Sequence, residues 1–341
     1  MGETPDVEVI IATRDLPQAI RQRVANILAS DYPGERLRVT VAVDANAAAH
    51  LSETRTALEP IPAVRVVLGD AAGGKAAALN AGVRAARAGI LVFTDTAQAF
   101  DPGAIRALVR CLAAPDVAGA SGYLAAKGDH GALGRFWAYE TLLRSLESRF
   151  DSLVGVTGAV YALRASAWVP LREGLINDDL AVPLLVRRAG GRVVHCPAAV
   201  ARDPREFTHD QQYARRVRTL TGIWQLFAWY PWVALPGRNP LWLEFMCHKV
   251  IRLLTPLLLI VGGLALAPLV TTRLLLLAGG ALLAGLLAGA AVLRRGPLTL
   301  AAEALRAFRL LFQAPSVAAW HGLRGQWEVW HPPAARSGSR P

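Results

Sequence analysis

A lysine and a carboxylate stand where this chain could hold a phosphorylated ligand. Lys75 follows the glycine pair 73–74 and opens a helical pattern, and the apolar run 90–94 leads directly to Asp95. Ligands of open α/β sheets bind at the carboxyl ends of the strands. A lysine can pair with phosphate oxygens there, and a carboxylate can share a divalent ion with them. These residues therefore predict nucleotide-dependent chemistry.

Residues 69–76 (GDAAGGKA) also have the spacing of a phosphate-binding P-loop. In that motif a Ser or Thr follows the lysine and binds Mg²⁺. Ala76 stands at this position, and no strong strand pattern leads into the segment. The P-loop is therefore the less favoured alternative.

Alternating strand and helix patterns must position these residues. Strand patterns cover 7–13, 37–43, 64–68 and 90–94, and helical patterns cover 18–28, 75–88 and 102–112. Such alternation predicts a mostly parallel sheet with helices on both faces. The later part of the chain has a looser pattern, with a helix near 133–148, a Gly-rich segment at 155–163 and a strand near 192–195.

Two uncharged apolar runs, residues 253–272 and 274–293, each have the length of about 20 residues that a helix needs to cross a bilayer. Only Arg273 separates them, which predicts a hairpin with both ends on one side. Basic residues flank the outer ends, namely His248, Lys249, Arg252, Arg294 and Arg295. The positive-inside rule then predicts a multi-pass protein of the inner membrane with its N-terminal domain and tail in the cytoplasm. Buried core helices are the alternative.

The net charge of +11 raises the question of nucleic acid as a partner. No basic stripe interleaved with aromatic residues accompanies it, so attraction to anionic lipid headgroups is the simpler interpretation. The three cysteines, Cys111, Cys196 and Cys247, lack the spacing of metal ligands. We expect them to be reduced thiols.

The ordered set of motifs resembles the family 2 glycosyltransferases, inverting enzymes with the GT-A fold that use nucleotide-activated sugars. Residues 9–14 resemble the family's first strand, and Asp44 falls where the family has a base-binding aspartate. Residues 74–80 (GKAAALN) match its G-K-x-x-A-L-N segment, and Asp95 matches the first carboxylate of its D-x-D motif. The triplet 177–179 (NDD) resembles its T-E-D motif. The resemblance covers about residues 7–225.

This resemblance implies a role for each matching residue. It makes Asp179 the catalytic base, which takes the proton of the acceptor hydroxyl. Donor binding is implied for Thr13, Asp44, Lys75, Asn80 and Asp95. Acceptor binding is implied for Gly158, Tyr161, Asp178, Arg215, Arg218 and Trp224. For the triplet 177–179, a simple helix start with favourable first-turn charges is the alternative.

One departure from the family pattern concerns the metal. The resemblance implies a divalent ion, Mg²⁺ or Mn²⁺, on Asp95, but Ala97 stands where D-x-D has its second carboxylate. An ion on Asp95 would rely on donor phosphates and water for its other ligands. Gln98 could supply a neutral ligand or contact the donor, or it could serve a turn at the strand end.

A second departure concerns processivity. Processive relatives carry Q-x-x-R-W, whereas Arg215 and Arg218 keep the spacing here and Thr219 replaces the tryptophan. The two arginines could clamp the diphosphate or meet lipid headgroups. Trp224 could replace the lost stacking surface or act as an interface anchor. These features predict non-processive transfer.

We expect five parts along the chain: a GT-A domain (1–225), a membrane-interface segment (226–252), two transmembrane helices (253–293), an interfacial amphipathic helix region (294–330) and a disordered tail (331–341). The expected function is that of a membrane-bound inverting glycosyltransferase acting on a lipid-linked or surface-polysaccharide acceptor. Its expected partners are the nucleotide-sugar donor, the acceptor, membrane lipids and enzymes of glycan biosynthesis, without nucleic acid. Two alternatives are a ceramide- or diacylglycerol-type glycolipid glucosyltransferase and a non-catalytic subunit that binds nucleotide sugars.

Overall fold

The computed structural model describes residues 4–126, 131–266 and 308–328, together with residues 274, 277, 279, 280, 282–285, 302, 303, 305 and 306. The chain forms two compact units. The first comprises Met1–Glu206 and Leu226–Phe245, and the second comprises Phe207–Gln225 and Met246–Pro341. The five-part division expected from the sequence stays a prediction.

The described part of the first unit holds a single eight-stranded sheet. Its strands are β1 (Val7–Thr13), β2 (Leu37–Val43), β3 (Val64–Leu68), β4 (Ile90–Thr94), β5 (Ala99–Phe100), β6 (Val117–Ala126), β7 (Tyr161–Arg164) and β8 (Arg192–Asp203). Their spatial order is β3-β2-β1-β4-β7-β6-β8-β5. The four strands predicted from residues 7 to 94 are confirmed at their predicted bounds, because each is a short run rich in β-branched residues. Strands β1 and β4 are fully buried, whereas β3 is only partly buried.

Helices cover the sheet and continue into the second unit. They are α1 (Pro17–Leu28), α2 (Leu51–Leu58), α3 (Lys75–Ala85), α4 (Ala104–Cys111), α5 (Gly131–Phe150), α6 (Asp178–Arg188), α7 (His209–Trp229), α8 (Trp242–Phe245), α9 (Ile251–Leu266) and α10 (Ala314–Leu323). The predicted mixed α/β architecture with a mostly parallel sheet is confirmed.

Strand direction decides which side chains meet. Strands β1, β2 and β3 pair in parallel, and so do β1 and β4. Strand β7 runs antiparallel to both β4 and β6, and β8 runs parallel to β6. It follows that β1, β2, β4 and β8 all end at the same edge of the sheet. That edge carries Thr13, Asp44, Asp95 and Asp203.

Helix α3 lies close against the sheet at Gly82. A Cβ atom at this position would stand 2.8 Å from Ile10 Cγ2 and 3.4 Å from the Cβ of Ala42, on β1 and β2 respectively. At the start of the same helix, Gly73 and Gly74 have positive φ angles of 70° and 88°. Glycine is the residue that adopts this conformation without steric cost. The glycines therefore fix both the turn before Lys75 and the distance of its helix from the strands.

Two cysteines correct an expectation from the sequence. Cys111 and Cys196 form a disulfide between α4 and β8, with Cα atoms 6.3 Å apart. The expectation of reduced thiols is therefore wrong for this pair. The two residues are 85 positions apart in the chain, so only the packing of α4 on β8 brings them together. Cys247 is a free, exposed thiol.

In the second unit, α9 is the end of a longer apolar helix. Residues Trp242–Leu266 form 25 helical residues with a mean hydropathy of 1.9, and 11% of the apolar window is buried. This is the one described helix that is long and apolar enough to cross a membrane. Only a few positions of the predicted second span, 274–293, belong to the described residues. Residues 267–272 and the tail 331–341 lie wholly outside them. The hairpin therefore stays a prediction.

Candidate active site

The ends of β1, β2 and β4 are linked by hydrogen bonds at the sheet edge. The backbone N–H of Asp44 donates to the carbonyl of Thr13 at 2.7 Å. The hydroxyl of Thr96 donates to the Thr13 hydroxyl at 2.8 Å, and Thr13 in turn donates to Asp15 at 3.3 Å. The structure thus brings the predicted residues Thr13, Asp44 and Asp95 to one edge.

Asp44 also orders the glycine turn that presents the lysine. Its Oδ1 atom accepts hydrogen bonds from the backbone N–H groups of Asn46 at 3.0 Å and Gly74 at 2.8 Å. The side chain of Asn46 fills the space beside Gly73, where a Cβ atom would be 2.2 Å from its amide nitrogen. Asp44 is buried, so this carboxylate holds the turn in place. Its role in binding the donor stays a prediction.

Lys75 connects the sheet edge to the start of α6. Its ammonium lies 2.9 Å from Asp95 Oδ1 and 3.4 Å from Asp178 Oδ2. Burial by itself lowers the pKa of Lys75, but the carboxylates of Asp178 and Asp95 raise it above its ordinary value. The lysine therefore keeps its charge and holds the two acidic segments together.

Asp179 lies beside this ion pair and is half-buried. Gly158 stands between the two groups, because a Cβ atom there would be 3.6 Å from Lys75 Nζ and 3.8 Å from the Cβ of Asp179. The backbone N–H of Val156 donates to the Asp179 carbonyl at 2.8 Å. The Gly-rich segment and the start of α6 are therefore neighbours, with glycine leaving room over the lysine.

Tyr161 lies under the same group of charges. Its ring stacks on Phe93 with centroids 4.6 Å apart, and Phe93 stacks on Trp168 at 5.1 Å. Within the described structure, the buried Tyr161 hydroxyl has no hydrogen-bond partner. Burial and the neighbouring Asp178 raise the pKa of Tyr161 well above its ordinary value. The phenol therefore stays neutral, and acceptor binding by Tyr161 stays a prediction.

Asn80 makes a structural contact in this fold. Its amide nitrogen donates to the Leu171 carbonyl at 2.7 Å, and its amide oxygen accepts from the Leu171 N–H at 2.9 Å. Both ends of the side chain therefore bind the backbone of the segment that leads to α6. Direct donor binding by Asn80 stays a prediction.

Two arginines near the site were missed by the sequence analysis. Arg23 on α1 is buried, and it donates to the Asp95 carbonyl at 3.2 Å and to the Thr94 hydroxyl at 2.8 Å. Burial lowers the pKa of Arg23 to about 9, although Asp95 opposes the change. Its position between Ile20 and Val24, next to the apolar face of α1, was the available signal.

Arg144 is the second of these arginines, on α5. It donates a hydrogen bond to the hydroxyl of Thr157. Burial lowers the pKa of Arg144, while Glu140, Asp179 and Glu147 act in the opposite direction. Arg144 therefore brings positive charge toward Asp179. Nothing in the helical pattern of residues 133–148 distinguished it from an exposed arginine.

The remaining predicted residues belong to the second unit. Arg215, Arg218 and Trp224 all lie on α7, and Arg215 stacks on the ring of Phe207 at 4.0 Å from its centroid. The buried Arg218 Nε atom has no hydrogen-bond partner among the described residues. Acceptor binding by these three residues stays a prediction.

The residues at the edge do not form a protein-held metal site. Across the described part of the chain, no group of three or more His, Cys, Asp or Glu side chains is placed to hold an ion. Asp95, the predicted ligand, has Lys75 at 2.9 Å from one oxygen. Ala97 contributes no carboxylate. This donor set does not fit the several oxygen ligands that Mg²⁺ or Mn²⁺ takes.

Comparisons with known proteins show which family the chain is similar to. A family model described as "Glycosyltransferase like family 2" matches residues 5–222. An N-acetylglucosaminyltransferase of Azorhizobium caulinodans is 26% identical over 221 residues, which are 58% of this chain and 55% of that protein. The chain thus spans about half the length of this curated relative.

A solved structure shares the fold. The mannosyltransferase PcManGT from Pyrobaculum calidifontis, in complex with GDP-Man and Mn²⁺, aligns with a TM-score of 0.71 and 23% identity. The alignment covers 95% of this chain and 88% of that chain.

Proposed function

The chain belongs to the glycosyltransferase family 2-like proteins, and on this premise we propose that it is an inverting glycosyltransferase. It moves a sugar from a nucleotide-sugar donor to an acceptor hydroxyl. The contact of Lys75 with both Asp95 and Asp178 carries the proposal. These two ion pairs join the edge of the sheet, where donors bind in such folds, to the first turn of α6, which contains Asp179.

The proposed reaction is a single displacement at the anomeric carbon. Asp179 accepts the proton of the acceptor hydroxyl as that oxygen bonds to the carbon. The bond between the carbon and the diphosphate oxygen breaks, and the nucleoside diphosphate leaves with the electron pair. Attack from the opposite side inverts the configuration. Asp178 is held by Lys75, so we assign the base to Asp179 and acceptor positioning to Asp178.

We also propose a membrane-bound enzyme with its catalytic domain in the cytoplasm. The apolar helix Trp242–Leu266 and the basic residues around it support membrane attachment. A catalytic domain beside a membrane suits a lipid-linked or surface-polysaccharide acceptor. Thr219 in place of the tryptophan of Q-x-x-R-W supports non-processive transfer.

The divalent ion, Mg²⁺ or Mn²⁺, is a separate proposal. It rests on Asp95 and on the Mn²⁺ in the fold's solved relative. Because no group of three or more His, Cys, Asp or Glu side chains among the described residues is placed to hold an ion, we derive no step of the reaction through an ion. If an ion takes part, it enters with the donor diphosphate, which supplies oxygen ligands of its own.

The decisive experiment is a donor panel with purified protein. UDP-glucose, UDP-N-acetylglucosamine and GDP-mannose are tested for thermal stabilisation and for hydrolysis. We expect Asp179→Asn to keep donor binding and to lower turnover by about 10²–10⁴-fold, because it removes the general base. The matched control is Asp101→Asn, which changes a carboxylate paired with Arg202 at the surface.

The outcomes separate the rival functions. Turnover by Asp179→Asn at near the parent rate would move the base to another residue, with Asp178 the next candidate. A parent protein that binds a donor without ever turning it over would support the non-catalytic subunit. Transfer to ceramide or diacylglycerol, but not to prenyl-linked glycans, would support the glycolipid glucosyltransferase.

A further inference from the structure

A buried carboxylate at the end of β8 holds an arginine in a fixed orientation. Asp203 accepts from Arg205 through Nε at 2.9 Å, through the terminal nitrogen at 2.7 Å and through the backbone N–H at 3.0 Å. Gln98 donates a fourth hydrogen bond to Asp203 at 3.0 Å. The Asp203 side chain is 5% exposed, whereas that of Arg205 is 42% exposed. A guanidinium fixed in this way loses little conformational freedom on binding a ligand.

This arginine belongs to the edge of the sheet that carries Asp95. Strand β8 runs in the same direction as β4, so Asp203 and Asp95 follow strands that end on one side. The hydrogen bond to Asp203 raises the pKa of Arg205 despite burial, and Asp203, Asp95 and Asp15 add to the rise. The positive charge of Arg205 is therefore near enough to Asp95 and Asp15 to interact with them.

The site needs such a charge for an anionic ligand. Asp15, Asp95, Asp178 and Asp179 are acidic, and the ammonium of Lys75 already contacts two of them. Ala97 removes the carboxylate that would help to hold a metal. A guanidinium binds phosphate oxygens through two parallel hydrogen bonds, which gives geometry as well as charge. Among the described residues, the buried Gln98 Oε1 atom also has no hydrogen-bond partner. This amide oxygen next to Asp203 can therefore accept a hydrogen bond from a bound ligand.

We propose that Arg205 binds the diphosphate of the nucleotide-sugar donor, with Asp203 and Gln98 as its positioning residues. The inference rests on the proposed function and adds a residue that neither the D-x-D nor the T-E-D resemblance includes. Arg205 supplies, as a fixed side chain, part of the positive charge that stabilises the leaving diphosphate.

The test is calorimetry of UDP, GDP, dTDP and the parent nucleosides, in chelator and in Mn²⁺. Arg205→Gln should weaken diphosphate binding by about 10–100-fold and leave nucleoside binding within about twofold, because a hydrogen-bonded charge is lost. Arg205→Lys should recover part of the affinity. The matched control is Arg202→Gln. It removes an exposed arginine that lies three positions before Arg205 and is paired with Asp101.

A second variant separates binding from folding. Arg205→Gln leaves the buried Asp203 carboxylate without its main partner, so the double variant with Asp203→Asn removes both charges. Melting temperatures identify folded variants. We expect the folded double variant to lose diphosphate affinity like the single one, and Asp203→Asn alone to lose about 3–10-fold by releasing Arg205.

The outcomes distinguish this inference from the function on which it rests. If the parent and the folded double variant bind a nucleoside diphosphate equally well, the role of Arg205 is overturned, but the proposed function is not. A parent that binds none of the nucleoside diphosphates would contradict the proposed function and this inference with it. The last measurement uses farnesyl phosphate as a lipid phosphate. If Arg205→Gln weakens the binding of farnesyl phosphate but not of nucleoside diphosphates, the arginine binds a lipid phosphate and the donor assignment is wrong.

Discussion

At the scale of single residues, Lys75 organises the candidate site. Its two ion pairs bridge residues that are 20 and 103 positions away in the chain, Asp95 and Asp178. Asp95 is therefore a partner of the lysine as well as the predicted metal ligand. A substitution at Asp95 changes the charge balance at the edge even before any ion is considered.

Asp95→Ala tests whether a divalent ion accompanies the donor. If an ion enters with the diphosphate, Mn²⁺ should raise the affinity of the parent protein for UDP or GDP. The variant should lose that increase, because it loses the carboxylate that shares the ion. Calorimetry with and without Mn²⁺ measures both, and Asp70→Ala, at a surface ion pair with Arg84, serves as the control. Affinities of the parent that do not respond to Mg²⁺ or Mn²⁺ would remove Asp95 from this role.

At the scale of elements, two helices begin at the site. Helix α3 starts at Lys75 and α6 starts at Asp178, and these two side chains are 3.4 Å apart. The N-terminal end of a helix carries partial positive charge and unpaired N–H groups, which favour anions. The convergence of two such ends with Lys75 and Arg205 suits an anionic donor better than a neutral sugar alone.

The contact between α5 and β8 predicts a pH effect on stability. His195 contacts the hydroxyl of Ser145 at 3.0 Å, and burial together with Arg144 lowers its pKa to about 4, against the influence of Glu147. Between about pH 6.5 and pH 4 the unfolded chain binds a proton that the folded protein does not, so the free energy of unfolding decreases as pH falls. Because His195 is only partly buried and solvent screens its interactions, His195→Gln should remove about 1–2 kcal/mol of this decrease.

Urea unfolding at a series of pH values measures this difference. His209→Gln, at an exposed position on α7, is the control and should follow the parent curve. Parallel curves for the parent and His195→Gln across the acid range would show that His195 titrates alike in the folded and unfolded states.

The packing of α3 on the sheet predicts a loss of stability for Gly82→Ala. Alanine favours the helix by about 1 kcal/mol, but forcing a methyl group against the buried Ile10 costs about 1–3 kcal/mol. We expect a net destabilisation of up to about 2 kcal/mol in urea unfolding. Gly89→Ala is the control, because a Cβ atom there meets nothing within 4 Å. An equal or higher stability of Gly82→Ala would mean that α3 moves away from β1 at little cost.

At the scale of the whole molecule, charge and apolar sequence predict how the chain meets a membrane. The net charge is +11, and basic residues flank the two apolar runs. With a hairpin, the catalytic domain and the tail share the cytoplasm, and only the turn around Arg273 reaches the other side. Nucleotide sugar and catalytic domain are then in one compartment.

Cysteine labelling tests this topology. In a background that lacks the three native cysteines, Cys111, Cys196 and Cys247, new cysteines replace Ser337 and Ser339. They should resist a membrane-impermeant thiol reagent in intact cells and react after lysis. Arg273→Cys is the matched position on the opposite side and should react in intact cells. Reaction of the tail cysteines without lysis would mean a third crossing, which would have to involve residues 298–312.

The sequence by itself determined the strands and the edge at which they end. Short buried runs at 7–13, 37–43 and 90–94 are local patterns, and parallel strands bring their carboxyl ends together whatever the details of packing. Lys75 and Asp95 could therefore be selected from their places after a glycine pair and after a strand, whereas Thr13 and Asp44 came from the resemblance to the family 2 glycosyltransferases. The family followed from the order of the motifs, because each motif is local and their order is read directly along the chain.

The tertiary structure alone decided the contacts between segments far apart in the chain. The ion pair of Lys75 with Asp178, the hydrogen bond of Gln98 to Asp203 and the Cys111–Cys196 disulfide all join separate elements. Arg144 and Arg205 look like ordinary surface arginines in sequence, because the partners of a side chain depend on which helix or strand packs beside it. Side-chain charge can be read from residue type, but the group that it faces is set by the arrangement of the sheet and its helices.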